Sequence, residues 1–244
     1  MFGECEAFEP YASSMSSSTA APGRSHAQIA FGITALIAWF GMVLNFILTV
    51  LGTYPSLTTD PTLLGMNEPG LAGLPGRVFD FFTYFTILSN ITVAVIMTML
   101  WRDPKRTGVV FRTFFVDALL MISITGLIYG VVLAGSAKPQ GLEHVTNAVE
   151  HYIVPLLVVI VFIVWGPRRL IKVGTVFAAL IFPICWAIFA LIRGAVIGAY
   201  PYFFLNVANL GLGQVIINII LVALLATIIG FIYLLIDKVR SRKA

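Results

Sequence analysis

The chain has 244 residues, 59% of them hydrophobic and only 11% charged, with a mean hydropathy of +0.97. These values exclude a soluble globular domain and place the protein among integral membrane proteins. The net charge of +4 could suit an anionic partner, but in this class the placement of charge matters more than its total, and no nucleic-acid partner is expected.

In chain order, residues 1–26 hold three Glu, several Ser and Ala, and no Lys or Arg before Arg24. That composition predicts a disordered tail rather than a cleaved secretory signal. Six apolar stretches follow, at 27–53, 79–101, 113–134, 147–165, 173–198 and 212–236, each near the roughly 20 residues that a membrane helix needs. They lack period-2 alternation and exceed a barrel strand in length, so helices satisfy the backbone. The expectation is an all-α protein: a six-helix transmembrane bundle over 27–236, with a basic tail at 237–244. Cys5 and Cys185 are too few for a disulfide framework or a thiolate metal site, and no cofactor is expected.

Arg24, Arg102, Lys105, Arg106, Arg112, Arg168, Arg169, Lys172, Lys238, Arg240, Arg242 and Lys243 all fall on one side of this topology. Arg77 and Lys138 fall on the other, and Arg193 sits near the outer end of span 5. By the positive-inside rule both termini are cytoplasmic and the loops 54–78, 135–146 and 199–211 face outward.

Polarity gathers in the outer halves of the spans. In span 2, within FFTYFTILSN (81–90) and just before it, Asp80, Thr83, Thr86 and Asn90 form one stripe about 120° wide on a continuous helix. Span 4 opens with Asn147 and His151 one turn apart, with His144 before them in the loop. Arg193, Tyr200, Tyr202, Asn206, Asn209, Gln214, Asn218 and Asn45 lie at the same level, whereas Asp117 is the main polar group of the inner halves. Intramembrane polar groups usually face a cavity, so an outward-facing polar pocket is expected. Pro155 supplies no N–H to the carbonyl of His151, which predicts a kink there.

A hydroxyl becomes a useful nucleophile when a histidine takes its proton, and Thr86 and His151 lie at matching depth. Glu150 or Asn147 would orient the imidazole; Arg193 or a tyrosine hydroxyl would bind a carboxylate or a developing oxyanion. Thr83, on nearly the same face, competes as nucleophile. Against this stand blander roles: threonines bonding back to their own helix, Arg193 snorkelling to the interface, and Tyr200 and Tyr202 forming an aromatic belt. Haem, metal, G-x-S-x-G and Walker signatures are missing from the sequence.

At FFTYFTILSN, NAVEHYIVP and AYPYFF the sequence resembles the androgen-induced and androgen-dependent membrane hydrolases and their prokaryotic six-span relatives. That resemblance implies hydrolysis of fatty acid esters of hydroxy fatty acids by an intramembrane threonine and histidine, here Thr86 and His151, with Tyr200 and Pro201 as a further shared feature. It departs from the family pattern at Ser89, where an acidic residue is expected, and in a His151-to-Pro155 spacing one residue shorter. Membrane lipids and a lipid ester are then the partners. The rival readings are a six-span small-solute binding or transport protein, such as the substrate-capture component of an energy-coupling-factor transporter, and a structural subunit whose polar stripe glues helices together.

The charge distribution yields a direct test of orientation. With Cys5 and Cys185 replaced by serine, a cysteine at Lys138 should react with a membrane-impermeant maleimide in intact cells, and one at Lys105 only after permeabilisation. The opposite pattern would invert the bundle.

Overall fold

The computed structural model describes residues 24–53 and 60–242. Cys5, most of the expected disordered tail and Lys243 lie outside the described residues. Among the described residues six segments are long and apolar enough to cross a membrane, in the places expected from sequence. The protein is a six-helix transmembrane bundle.

Helix α1 (His26–Leu51) begins with a capping box between Ser25 and Gln28 and ends at Gly52, whose φ of 64° is the left-handed geometry that glycine adopts without strain. Span 2 is not the single helix expected. Helix α2 (Leu74–Thr83) stops at Tyr84, an extended residue with ψ 130°, and α3 (Phe85–Arg102) starts immediately after it. Helix α4 (Val109–Ile128) ends in a π-helical turn over Tyr129–Leu133. Span 4 comprises α5 (Glu143–Ala148), a π turn over Val149–Ile153, and α6 (Val154–Trp165). Starting at Glu143, it takes His144 into a helix, where it is exposed. Span 5 divides at Leu180 into α7 (Val173–Ala179) and α8 (Ile181–Ile197). Helix α9 (Val207–Ser241) is longer than span 6 was expected to be and changes direction at Gly211, where φ is 75°.

Helix α4 is central and largely buried. It packs against α3, α6, α7 and α9, and its Phe115, Leu119, Leu120, Met121 and Ile122 are fully buried. Asp117 is buried among them, with neither carboxylate oxygen hydrogen-bonded among the described residues. Gly230 lets α9 reach α7 and α4 closely: a Cβ there would lie 2.5 Å from Val176 Cγ1 and 3.5 Å from Leu120 Cδ2.

The face carrying the described ends of the chain, the basic face, is tied by cationic and acidic caps. Arg168 donates to the Phe162 and Ile163 carbonyls at the C-terminus of α6, while Asp237 accepts the Arg169 and Ile171 N–H groups. The opposite, distal face is covered by two loops. Leu64 N–H donates to Tyr200 O and Tyr200 N–H to Thr62 O. Asp60, Thr62, Asn206 and Asn209 interlock beside them, and the Thr62 hydroxyl and N–H hold the Asp60 carboxyl below its ordinary pKa. Arg77 staples the Glu68 and Gly70 carbonyls to Thr49 at the end of α1.

Gly230→Val should cost about 1–3 kcal/mol through overpacking where α4, α7 and α9 meet, read as a lowered Tm in detergent. Gly213→Ala, in open space, should leave Tm nearly unchanged. Equal Tm values for both variants would mean that the three helices do not pack through Gly230.

Candidate active site

Most threonines in this bundle satisfy themselves. Thr34, Thr83, Thr92, Thr98, Thr113 and Thr227 each donate to the carbonyl four residues earlier in their own helix. Thr86 does not. The extended Tyr84 interrupts the helix between Thr86 and the preceding turn, so its hydroxyl has no helical carbonyl beneath it. Its Oγ1 lies 3.2 Å from His151 Nε2.

The same break leaves the first N–H groups of α3 without helical acceptors. Thr86 N–H donates to Tyr202 Oη at 3.3 Å. The Thr86 carbonyl accepts Ser89 Oγ at 2.8 Å and Asn90 Nδ2 at 2.9 Å. With its proton so used, Ser89 Oγ accepts from the Thr125 hydroxyl at 2.8 Å, tying α3 to α4.

On the facing span the helix changes register just before Pro155. In the π turn, Val154 N–H donates to Val149 O five residues back. The Glu150 carbonyl would need the N–H of Pro155, which does not exist, and it accepts Asn90 Nδ2 at 3.2 Å instead. Gly126 of α4 makes room for Pro155, where any Cβ would come within 2.9 Å of the proline ring. The turn directs His151 toward Thr86. His151 Nδ1 lies 3.2 Å from Asn147 O, and a carbonyl only accepts, so the neutral ring carries its proton on Nδ1 and presents the Nε2 lone pair to the Thr86 hydroxyl. Tyr129, in the π turn of span 3, stacks on the imidazole at 3.8 Å between centroids.

The other expected site residues divide. Thr83 is back-bonded through its hydroxyl, and its carbonyl accepts Trp186 Nε1 at 2.9 Å. Asn147 orients His151 through its carbonyl. Glu150 turns away to Asn45, whose Nδ2 lies 2.9 Å from both carboxylate oxygens. Arg193 is committed to an ion pair with Asp80 and lies over Phe79, and Asn67 holds the other Asp80 oxygen. Tyr200 packs on Gly194 and serves the loop bridge. Of the groups proposed to meet an oxyanion, Tyr202 is beside Thr86 and Arg193 is engaged elsewhere. Tyr129, Thr125 and Trp186 are not among the residues singled out from sequence, and Ser89 is singled out as a departure from the family pattern; the two facing π turns reveal the place of Tyr129.

The expected single polar pocket resolves into separate clusters, and the cavity beside Thr86 is apolar. It has a volume of about 100 Å³ and lies between α3, α4, α8 and α9; among the described residues that line it, Thr86, Thr125, Tyr202 and the Trp186 indole carry the polar groups. Helix α8 reaches α2 and α3 through long side chains: Trp186 bonds Thr83 O and packs at a tilt of 54° against Phe85, with centroids 4.8 Å apart, while Arg193 pairs with Asp80. The cavity lies beside these contacts. Among the described residues no three His, Cys, Asp or Glu side chains gather to hold a metal ion.

Comparison of the chain with family models, curated proteins and solved structures finds no match.

Asn90→Leu removes donors from two buried carbonyls, Thr86 O and Glu150 O. It should cost about 1–3 kcal/mol, measured as a Tm decrease larger than that of Thr83→Val, which loses one back-bond. The reverse order would remove Asn90 as the link between spans 2 and 4.

Proposed function

We propose that the protein is an integral membrane hydrolase of lipid esters in which Thr86 is the nucleophile and His151 the general base. The observation that carries this reading is the 3.2 Å contact between Thr86 Oγ1 and His151 Nε2, at the edge of an apolar cavity. Two further features support it: the hydroxyl lacks the back-bond of its fellow threonines, and the Asn147 carbonyl sets the histidine tautomer.

In this mechanism His151 Nε2 takes the Thr86 proton as Oγ1 bonds to the ester carbonyl carbon. The carbon–alkoxy bond breaks, and the same proton passes from His151 to the departing alcohol. Water then gives a proton to His151 and its oxygen to the acyl carbon; Thr86 leaves as the hydroxyl by recovering that proton, and a fatty acid is released. Tyr202, held by the Thr86 N–H, is the hydroxyl positioned to donate to the developing oxyanion. The family resemblance at these motifs agrees with the chemistry and adds the host expectation of a bacterial plasma membrane, with the basic face in the cytoplasm. A small-solute carrier fits the topology equally, but the apolar lining favours a lipid over a hydrated solute.

Labelling of purified protein with a fluorophosphonate tests the reading. Thr86→Ala and His151→Ala should lose about a hundredfold or more in labelling rate, while Thr83→Ala at matched Tm keeps the wild-type rate. Unlabelled wild type, or labelling that survives Thr86→Ala, overturns it.

A further inference from the structure

The residues that line the cavity lie on both sides of Thr86 along the bundle, and on that basis it divides into a deep arm and a distal arm. Ser89, one turn nearer the basic face than Thr86, bonds Thr125, which puts Thr86 level with the next turn of α4, near Ile128. From Ile128 to Leu120, the deepest α4 residue lining the cavity, the helix descends about 12 Å toward the basic face. Leu180 and Ala226 line this same deep end. Immediately beyond it, Gly230 brings Val176 and Leu120 into close packing and seals the floor.

We infer that this deep arm, on the reading of the site as a threonine hydrolase, binds the acyl chain of the ester tail-first, selects a slender chain with an uncharged end, and limits its length at Ala226 and Leu180. Width follows from volume and length together: about 100 Å³ spread along an arm of about 12 Å leaves a narrow channel, so a bulky fused-ring acyl group is excluded. Charge selection follows from the lining. No Lys, Arg, Asp or Glu lines the cavity, and Arg193 is already paired with Asp80. A carboxylate at the chain terminus would therefore be buried without a counter-ion. Length selection follows from the floor, since a chain entering past Thr86 runs parallel to α4 until it meets the residues above Gly230. The alcohol portion takes the shorter distal arm, beside Leu133 and Phe204.

Fluorophosphonates carrying butyl, octyl and hexadecyl chains read the arm directly. Ala226→Phe should lower the labelling rate with the hexadecyl probe relative to the butyl probe by about tenfold or more. Its retained butyl labelling serves as the control for folding. Leu224→Phe, on the lipid-facing side of α9 at 55% exposure, should keep the wild-type ratio. An octyl probe ending in a carboxylate should react about tenfold or more slowly than its methyl-ended counterpart. Identical chain-length profiles for Ala226→Phe and wild type overturn the inference.

If no probe labels folded wild type, the threonine reading fails, and the chain's placement is decided separately. Thr86→Ala protein would be photolysed with a fatty ester bearing a terminal diazirine. Cross-links on the peptides around Leu180 or Ala226 support the deep arm; cross-links confined to the distal loops overturn it.

Discussion

In a hydrocarbon environment a backbone group released from a helix must find another partner within the protein, and this requirement organises the site. Three irregularities, at Tyr84, over Tyr129–Leu133 and over Val149–Ile153, meet in the distal half of the bundle. Those at Tyr84 and over Val149–Ile153 free groups that a regular helix would consume. Thr83 O receives Trp186, Thr86 N–H finds Tyr202, and Glu150 O receives Asn90. The residues that repair the backbone are thus the ones that surround Thr86 and His151. Asn90 makes this plainest, since one side-chain amide satisfies carbonyls on two spans and fixes their relative height.

The same contacts border the empty space beside Thr86. Trp186 and Arg193 hold α8 against α2 and α3. Helix α7, the other half of span 5, packs on α4 and α9, where Gly230 permits close approach. Span 5 thus meets α4 through α7, and the break at Leu180 separates that half from α8. The cavity with Thr86 at its edge lies beside the α8 contacts. Polar groups that could have lined it are drawn off into their own clusters: Asp80 with Arg193, Glu150 with Asn45, and Asp60 and Thr62 with the two distal-loop asparagines.

Much of this was legible in the chain. The number of spans followed from hydropathy, because about 20 apolar residues have few other fates. Thr86 and His151 could be paired by depth because helical rise converts residue number to height. Pro155 announced an irregular turn beside His151, and the π register there brings in the carbonyl of Glu150 five residues back. The break at Tyr84 was not legible: FFTYFTILSN contains neither Pro nor Gly, and tertiary contacts override its helical pattern. Thr83 and Thr86 therefore looked equivalent on a continuous helix, and only the break gives one a back-bond and the other a histidine.

The sequence by itself determined that the protein is an all-α bundle of six spans, which residues are polar within them, and at what depth each lies. These properties depend on local hydropathy and on rise per residue. It did not determine which polar groups meet, because rotation about each helix axis and the breaks within helices depend on packing between distant segments. Tertiary structure decided that Arg193 serves Asp80, that Tyr202 rather than Tyr200 reaches Thr86, and that the neighbouring cavity is apolar.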